Sequence, residues 1–243
     1  MLTVAGLQKR YGKVIAVDDL SFSVEAGQIL GLVGPNGAGK TTTLRCSTGI
    51  IPPTQGAIQI GGADLRTNPV AAKQQYAFFP DEPRLFDYLT VRQHLAFVAK
   101  IYGVKDHEAR GLALLERLEL TDKARELPAN LSRGMKQKLV IACGLMHQPK
   151  LLIFDEPLTG LDPLAIRRMK DLMLELARDG AAIVLSSHLL HLLDEVCSHV
   201  LFLKQGRKLA HGTLAEVKAA FSQGESDVPL EEIFIRATGG AEN

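Results

Sequence analysis

Gly34-Pro35-Asn36-Gly37-Ala38-Gly39-Lys40-Thr41 decides how the rest of this chain is read. A glycine, four residues, then Gly-Lys-Thr is the pattern of a loop that wraps a phosphate. Glycines let the backbone curl until its N–H groups converge on an anion. Lys40 brings a compact positive charge to the outer phosphates, and the Thr41 hydroxyl is a hard oxygen that can ligate Mg2+. A helix beginning beside Thr41 and Thr42 turns its positive end toward the same anion. The flanks agree with this. Gln28 to Val33 is an apolar run that predicts a buried strand before the loop. Thr42 to Thr48 predicts a short helix after it, with Gly49 placed to stop it.

The composition around that loop suits an α/β protein. The chain has 243 residues, 46% apolar and 23% charged, which suits one large α/β domain or two small ones with a globular core. A net charge of +1 gives no reason to expect a nucleic-acid partner. Three cysteines, Cys46, Cys143 and Cys197, lie far apart, so neither a zinc site nor a disulfide framework is expected. No signal peptide is visible at Met1, and no apolar run approaches the ~20 residues of a spanning helix. The expectation is a soluble chain that would serve a membrane only through a partner.

On the amino-terminal side, Leu2-Thr3-Val4 and Leu20 to Val24 alternate as half-buried strands, with Tyr11 and Gly12 in a loop between them. Ala57 to Ile60 reads as a strand ending at Gly61-Gly62, and Tyr76 to Phe79 as another, halted by Pro80-Asp81-Glu82-Pro83. Residues 86–147 then read almost entirely as helix. Thr90 and Gln93 form a capping box, with Val91, Leu95, Val98 and Ile101 on one face up to Gly103. A second helix, Glu108 to Glu119, carries Leu112, Leu115 and Leu118 as a stripe. A third, Ser132 to His147, turns Met135, Leu139, Ala142 and Met146 inward. Leu151 to Phe154 is a continuous apolar run, as in a central parallel strand. Asp162-Pro163 opens a helix that runs to Gly180, and Ala181 to Ser186 is a further buried strand. A short helix, a strand at Val200 to Leu203, a Gln205-Gly206 turn and a helix capped by Thr213 follow. The expected division is a main domain over 1–221, with the helical segment 86–147 inserted in it, then a polar linker and short helical tail over 222–243.

Three further constellations carry chemistry. Asp155 and Glu156 close a buried strand, at the edge where open α/β sheets place ligands. One acid there can hold Mg2+ opposite Thr41, and the other can polarise a water in line with the terminal phosphate and take its proton. His188 follows a second buried strand, where an imidazole could donate to that phosphate. Leu131-Ser132-Arg133-Gly134-Met135-Lys136-Gln137 opens a helix, Ser132 as cap and Gly134 permitting close approach. One chain then has two phosphate-directed helix starts, which makes sense if the second serves a nucleotide held by a neighbouring subunit.

Taken together, these motifs resemble the nucleotide-binding subunit of an ATP-binding cassette (ABC) transporter over about residues 2 to 215, six of them in that family's order. The resemblance implies a P-loop NTPase core with a mainly parallel central sheet, an amino-terminal antiparallel β subdomain and an inserted helical subdomain. It implies that Tyr11 stacks on adenine, Gly34 to Thr41 is the Walker A loop, and Leu131 to Met135 is the signature motif. Leu151 to Glu156 corresponds to Walker B with its catalytic glutamate, Leu161-Asp162 to the D-loop, and His188 to the switch histidine. Lys40, Glu156 and His188 become catalytic; Thr41, Asp155 and Asp81, at the Q-loop position, become the Mg2+ set; Ser132 and Gly134 act in trans on a second subunit's ATP. The cassette would be a homodimer or heterodimer, sitting at the cytoplasmic face of the membrane through a permease on a separate chain. Two departures stand out: Asp81 replaces the usual glutamine, and Arg133 and Met135 replace Gly and Gln of the signature. With the tail Leu230-Glu231-Glu232-Ile233-Phe234, they look like cassettes of export systems. A cassette working in DNA repair or translation and a weakly hydrolysing regulatory cassette are the alternatives.

Overall fold

Two sheets back onto one another, and the edge of the larger one carries the phosphate loop. The computed structural model describes residues 1–159, 161–222, 225 and 228–239. In chain order the elements are β1 (Leu2–Tyr11), β2 (Val14–Val24), β3 (Ile29–Val33), α1 (Lys40–Ser47), β4 (Gln55–Ile60), β5 (Ala63–Asp64), α2 (Pro69–Lys73) and β6 (Tyr76–Phe79). The helical insertion follows as α3 (Val91–Tyr102), α4 (His107–Arg117) and α5 (Arg133–Leu145). The chain then returns through β7 (Leu151–Asp155), α6 (Pro163–Arg178), β8 (Ala182–Ser186), α7 (Leu190–Val196), β9 (His199–Lys204), β10 (Arg207–Thr213), α8 (Leu214–Phe221) and α9 (Leu230–Ala237).

The smaller sheet has the order β2-β1-β4-β5 and is antiparallel; the larger has the order β10-β9-β3-β8-β7-β6. From β6 to β9 every pairing in the larger sheet is parallel, and only β10 runs against its neighbour. Every residue of β3, β7 and β8 is buried, which is why those segments read as unbroken apolar runs. Alternate side chains go to opposite faces. Leu30, Leu32, Ile153 and Val184 meet the small sheet, where Leu2, Leu7 and Leu20 wait; Val33, Phe154, Ile183 and Leu185 meet the helices.

Several elements differ from the sequence reading. Tyr11 is the last residue of a ten-residue β1 rather than a loop residue, because β1 and β2 extend toward each other as a long hairpin. The strand β10 and the short α2 were not expected; β10 is largely exposed and carries Arg207 and Lys208, so its composition hides it. In the insertion, Ile101 and Leu112 are exposed. α3 buries Val91, His94, Leu95 and Ala99, and α4 buries Gly111, Leu114 and Leu115. At about 100° per residue, Ile101 and Leu112 fall at the rims of those faces. The capping boxes at Thr90 and Thr213 and the left-handed stop at Gly103 are as expected. Of the polar linker, Gln223, Gly224, Ser226 and Asp227 lie outside the described residues, as do the last four residues of the tail. The tail helix α9 forms and buries Leu230 and Ile233 against the main core.

Candidate nucleotide site

The strands β3, β7 and β8 end level, which gathers the sequence motifs at one edge. Ser186 is the register partner of Leu32 on one side and of Asp155 on the other. The loop after β3 is shaped by two glycines. A Cβ at Gly34 would stand 2.5 Å from the Leu203 carbonyl oxygen, and at Gly39, where φ is +102°, 2.5 Å from the Ala16 carbonyl oxygen. Any larger residue would push the loop off the strands behind it. Pro35, Asn36 and Gly37 are exposed at the rim, while Ala38 is buried, its N–H donating to the Pro35 carbonyl at 3.1 Å. Helix α1 starts at Lys40, after Gly39 at the cap position, with no side-chain cap and no acid in its first turn, and Thr42 lies in that turn. Its leading N–H groups therefore want an acceptor, and a phosphate fits.

Lys40 is buried at 8% exposure, and its ammonium donates to the carbonyls of Gly34 at 2.6 Å and Pro35 at 3.2 Å. Burial holds its pKa below the ordinary lysine value, while the carboxylates of Glu156 and Asp155 pull the other way. Thr41 Oγ1 donates to Asp155 Oδ1 at 3.4 Å, and Ser186 Oγ donates to the same oxygen at 2.7 Å. Burial pushes the Asp155 carboxyl up, and the hydrogen bonds from Ser186 and Thr41 oppose that shift. A hydroxyl oxygen beside a buried carboxylate whose charge is under-compensated suits Mg2+, which takes one or two protein oxygens and completes its shell with water and phosphate. Among the described residues no cluster of three or more His, Cys, Asp or Glu could cage a metal by itself.

Glu156 is held in an unusual backbone conformation, φ +51°, uncommon for a residue with a side chain. Its N–H is shared between the carbonyl and the hydroxyl of Ser186, both at 3.1 Å. Its Oε2 accepts from His188 Nδ1 at 2.8 Å and from the His188 N–H at 3.3 Å. With Nδ1 donating to Glu156, Nε2 can donate to a phosphate only when the ring carries its second proton. Lys40, Thr41, Asp155, Glu156 and His188 thus come together as the sequence suggested.

Four expected residues stand apart from that group. Tyr11 ends β1 half-exposed, with the Lys9 ammonium 5.1 Å from its ring centre. Asp81 leaves β6 two residues past Phe79, which pairs with Phe154 and stacks on it at 4.4 Å, so Asp81 emerges at the same edge as Asp155. Its carboxylate meets Arg133 at 3.6 Å and makes no hydrogen bond to Thr41 or Asp155. Ser132 is exposed and caps α5 by accepting from the Met135 N–H at 3.3 Å. Among the described residues, a Cβ at Gly134 would touch only Leu161 Cδ2, at 3.8 Å. Ser186 was missed as a site residue. Its place at the end of an apolar strand was visible, but its pairing with Asp155 depends on sheet register. The Asp81–Arg133 contact, bridging 52 positions, had no signal in the local sequence.

A family model described as "ABC transporter" matches residues 17–159. The chain belongs to the ABC transporter family. It is 35% identical to the ABC-type transporter ATP-binding protein EcsA of Bacillus subtilis (strain 168), over 98% of this chain and 96% of that one. It is 38% identical to the Nod factor export ATP-binding protein I of Burkholderia pseudomallei (strain 1710b), over 85% of this chain and 68% of that one. A solved structure, of an ATP-binding subunit of an ABC transporter, superposes with a TM-score of 0.92 at 36% identity, covering 98% of this chain and 99% of that one. This cassette is an ATP-binding, ATP-hydrolysing subunit of an ABC transporter, with the P-loop core, antiparallel subdomain and helical insertion that the resemblance implied. None of the described helices is long and apolar enough to cross a membrane.

Proposed function

We infer that this cassette closes on ATP as a dimer and drives a permease encoded as a separate chain, working from the cytoplasmic face and in the direction of export. The observation that carries the catalytic part is the hydrogen-bonded chain Thr41–Asp155–Ser186–Glu156–His188 laid along the edge that holds the phosphate loop. Gly34 to Thr42 cradles the phosphates, Lys40 neutralises the outer ones, and Tyr11 offers its ring to the base. Thr41 and Asp155 would hold Mg2+, with Asp81 able to reach its water shell from the neighbouring strand end. Bound there, the ion supplies charge neutralisation across the phosphates. Glu156 polarises the attacking water and takes its proton, and His188 fixes the carboxylate that does so. Ser132 and Gly134 meet the phosphates of a second subunit, which accounts for a glycine that packing among the described residues does not require. Phe86, Phe97 and Ile101 form an exposed apolar patch on the insertion, with Phe86 and Phe97 edge-on at 5.1 Å, suited to a helix of the permease. Export is supported by the Asp81 and Arg133 departures and by the likeness to a Nod factor export protein.

Glu156→Gln tests the assignment. Steady ATP turnover should fall by about 10²–10⁴-fold, the range for loss of a general base, with ATP binding retained and an ATP-dependent dimer accumulating in sedimentation runs. Unchanged turnover would remove Glu156 from the role. Purification from membranes with a polytopic protein attached tests the transport half, and purification with a nucleic acid instead would defeat it.

A further inference from the structure

Arg133 is the first residue of α5, and Lys136 follows one turn later, so two cations stand at a helix start that has no acid in its first turn. Cations there oppose the helix macrodipole. The carboxylate that offsets Arg133 comes from outside the helix: Asp81, at the exit of β6, 3.6 Å from the Arg133 guanidinium. Both side chains are about half exposed, so the contact is adjustable rather than locked. Asp81 leaves the sheet beside Asp155, through the Phe79–Phe154 pair, while Arg133 stands between Ser132 and Gly134 on the surface assigned above to a neighbour's phosphates.

We propose that Asp81 and Arg133 form an exchangeable latch within one subunit, in which Asp81 is given up by Arg133 as it turns to Mg2+-nucleotide at the adjoining strand end. The inference rests on the nucleotide site described under Proposed function. Each competitor for the carboxylate is a cation: a guanidinium on the signature helix, or a divalent ion at Thr41 and Asp155. Whatever free energy the latch holds is therefore subtracted from metal-nucleotide binding, and binding in turn frees Arg133. Its positive charge is then available to a phosphate across the interface. Loading of one half-site in cis thereby readies the other half-site's anion surface in trans. Arg133 acts here as a positioning residue, through Asp81, and not by touching its own subunit's nucleotide.

A double-mutant cycle on the full-length chain tests this, at protein concentrations where sedimentation shows a monomer, so that no contact across an interface contributes. Affinity for a fluorescent ADP analogue is titrated with Mg2+ and again in EDTA, for the wild type, Arg133→Gln, Asp81→Asn and the double variant. Arg133→Gln should tighten Mg2+-dependent binding by roughly two- to five-fold, the span of an exposed ion pair. That gain should vanish in EDTA, shrink in high salt, and be absent when Asp81 is already Asn. Equal affinities for wild type and Arg133→Gln, or the same gain in the Asp81→Asn background, would overturn the latch alone. A wild-type chain that binds no Mg2+-nucleotide would remove the site and the latch together.

Discussion

At α1 the cassette grips its own backbone, whereas at α5 it leaves the backbone open. The loop entering α1 has carbonyl oxygens of Leu203 and Ala16 set where a Cβ of Gly34 or Gly39 would be, and a buried lysine tied to two loop carbonyls. The start of α5 has an exposed capping serine and a glycine with, among the described residues, a single distant side-chain neighbour. Both are glycine-bearing, serine- or threonine-bearing helix starts with cations nearby, so sequence alone makes them look alike. The difference fits the reading proposed above, in which the first is preorganised inside one subunit and the second would be half of a surface finished by another molecule. Preorganised donors cost no rearrangement when charge arrives, which suits the place where the phosphate is cut. A surface half-site can be offered and withdrawn, which suits a clamp that must reopen.

Substitutions at matched positions break or sharpen this contrast. The largest effect on folding is expected for Gly34→Ala, whose methyl must displace the Leu203 carbonyl. Chemical denaturation should register a loss of about 2–3 kcal/mol, as for other overpacked sites, along with lost nucleotide binding. A melting curve equal to wild type would mean the loop is not held as tightly as its contacts imply. Next comes Asp155→Asn, in the opposite direction. Burial raises the Asp155 pKa above its ordinary 3.8, so its protonated form favours the fold, and that contribution is lost as pH rises through the shifted value. At pH 7 the ionised side chain is thus a net cost, while the hydrogen bonds from Thr41 and Ser186 both end on Oδ1, which asparagine keeps. Without Mg2+, Asp155→Asn should melt higher than the wild type at pH 7 and flatten the wild type's gain in stability toward acid pH, while abolishing Mg2+-dependent turnover. A lower melting point would refute the sign. The smallest effect on folding belongs to Gly134→Ala, within about 1 kcal/mol, since in the first turn of α5 the added methyl meets only a distant Leu161 Cδ2 among the described residues. Its ATPase should nonetheless drop at least about tenfold through weaker dimerisation, on the order of 1.4 kcal/mol. Full activity in that variant would place the second half-site elsewhere.

How much of this was legible depends on whether a feature is local. Gly34 to Thr41 lies in one run, and Asp155-Glu156 sits directly after its strand, so both could be read from neighbours along the chain. The buried strands were legible because burial on both faces leaves no polar residue to confuse the pattern. Ser186 was not, because its duty is set by Asp155 lying across the ladder from it. Nor was β10, whose exposed charged residues look like a loop until β9 is placed beside it. Ile101 and Leu112 were assigned inward because leucine and isoleucine at helical spacing suggest a stripe; the stripe's centre is fixed only by what packs against it.

The far end of the chain reaches back toward the loop by an indirect route. Phe234 of α9 lies edge-on to Phe202 at 5.3 Å, Lys204 donates to the Thr238 carbonyl at 2.9 Å, and Phe202 is the register partner of Val33, the residue before Gly34. A stop codon or an affinity tag introduced near residue 229 would therefore bare an aromatic ring on the strand that backs the ATP cradle, and anyone trimming the protein for crystallography should keep everything through Thr238.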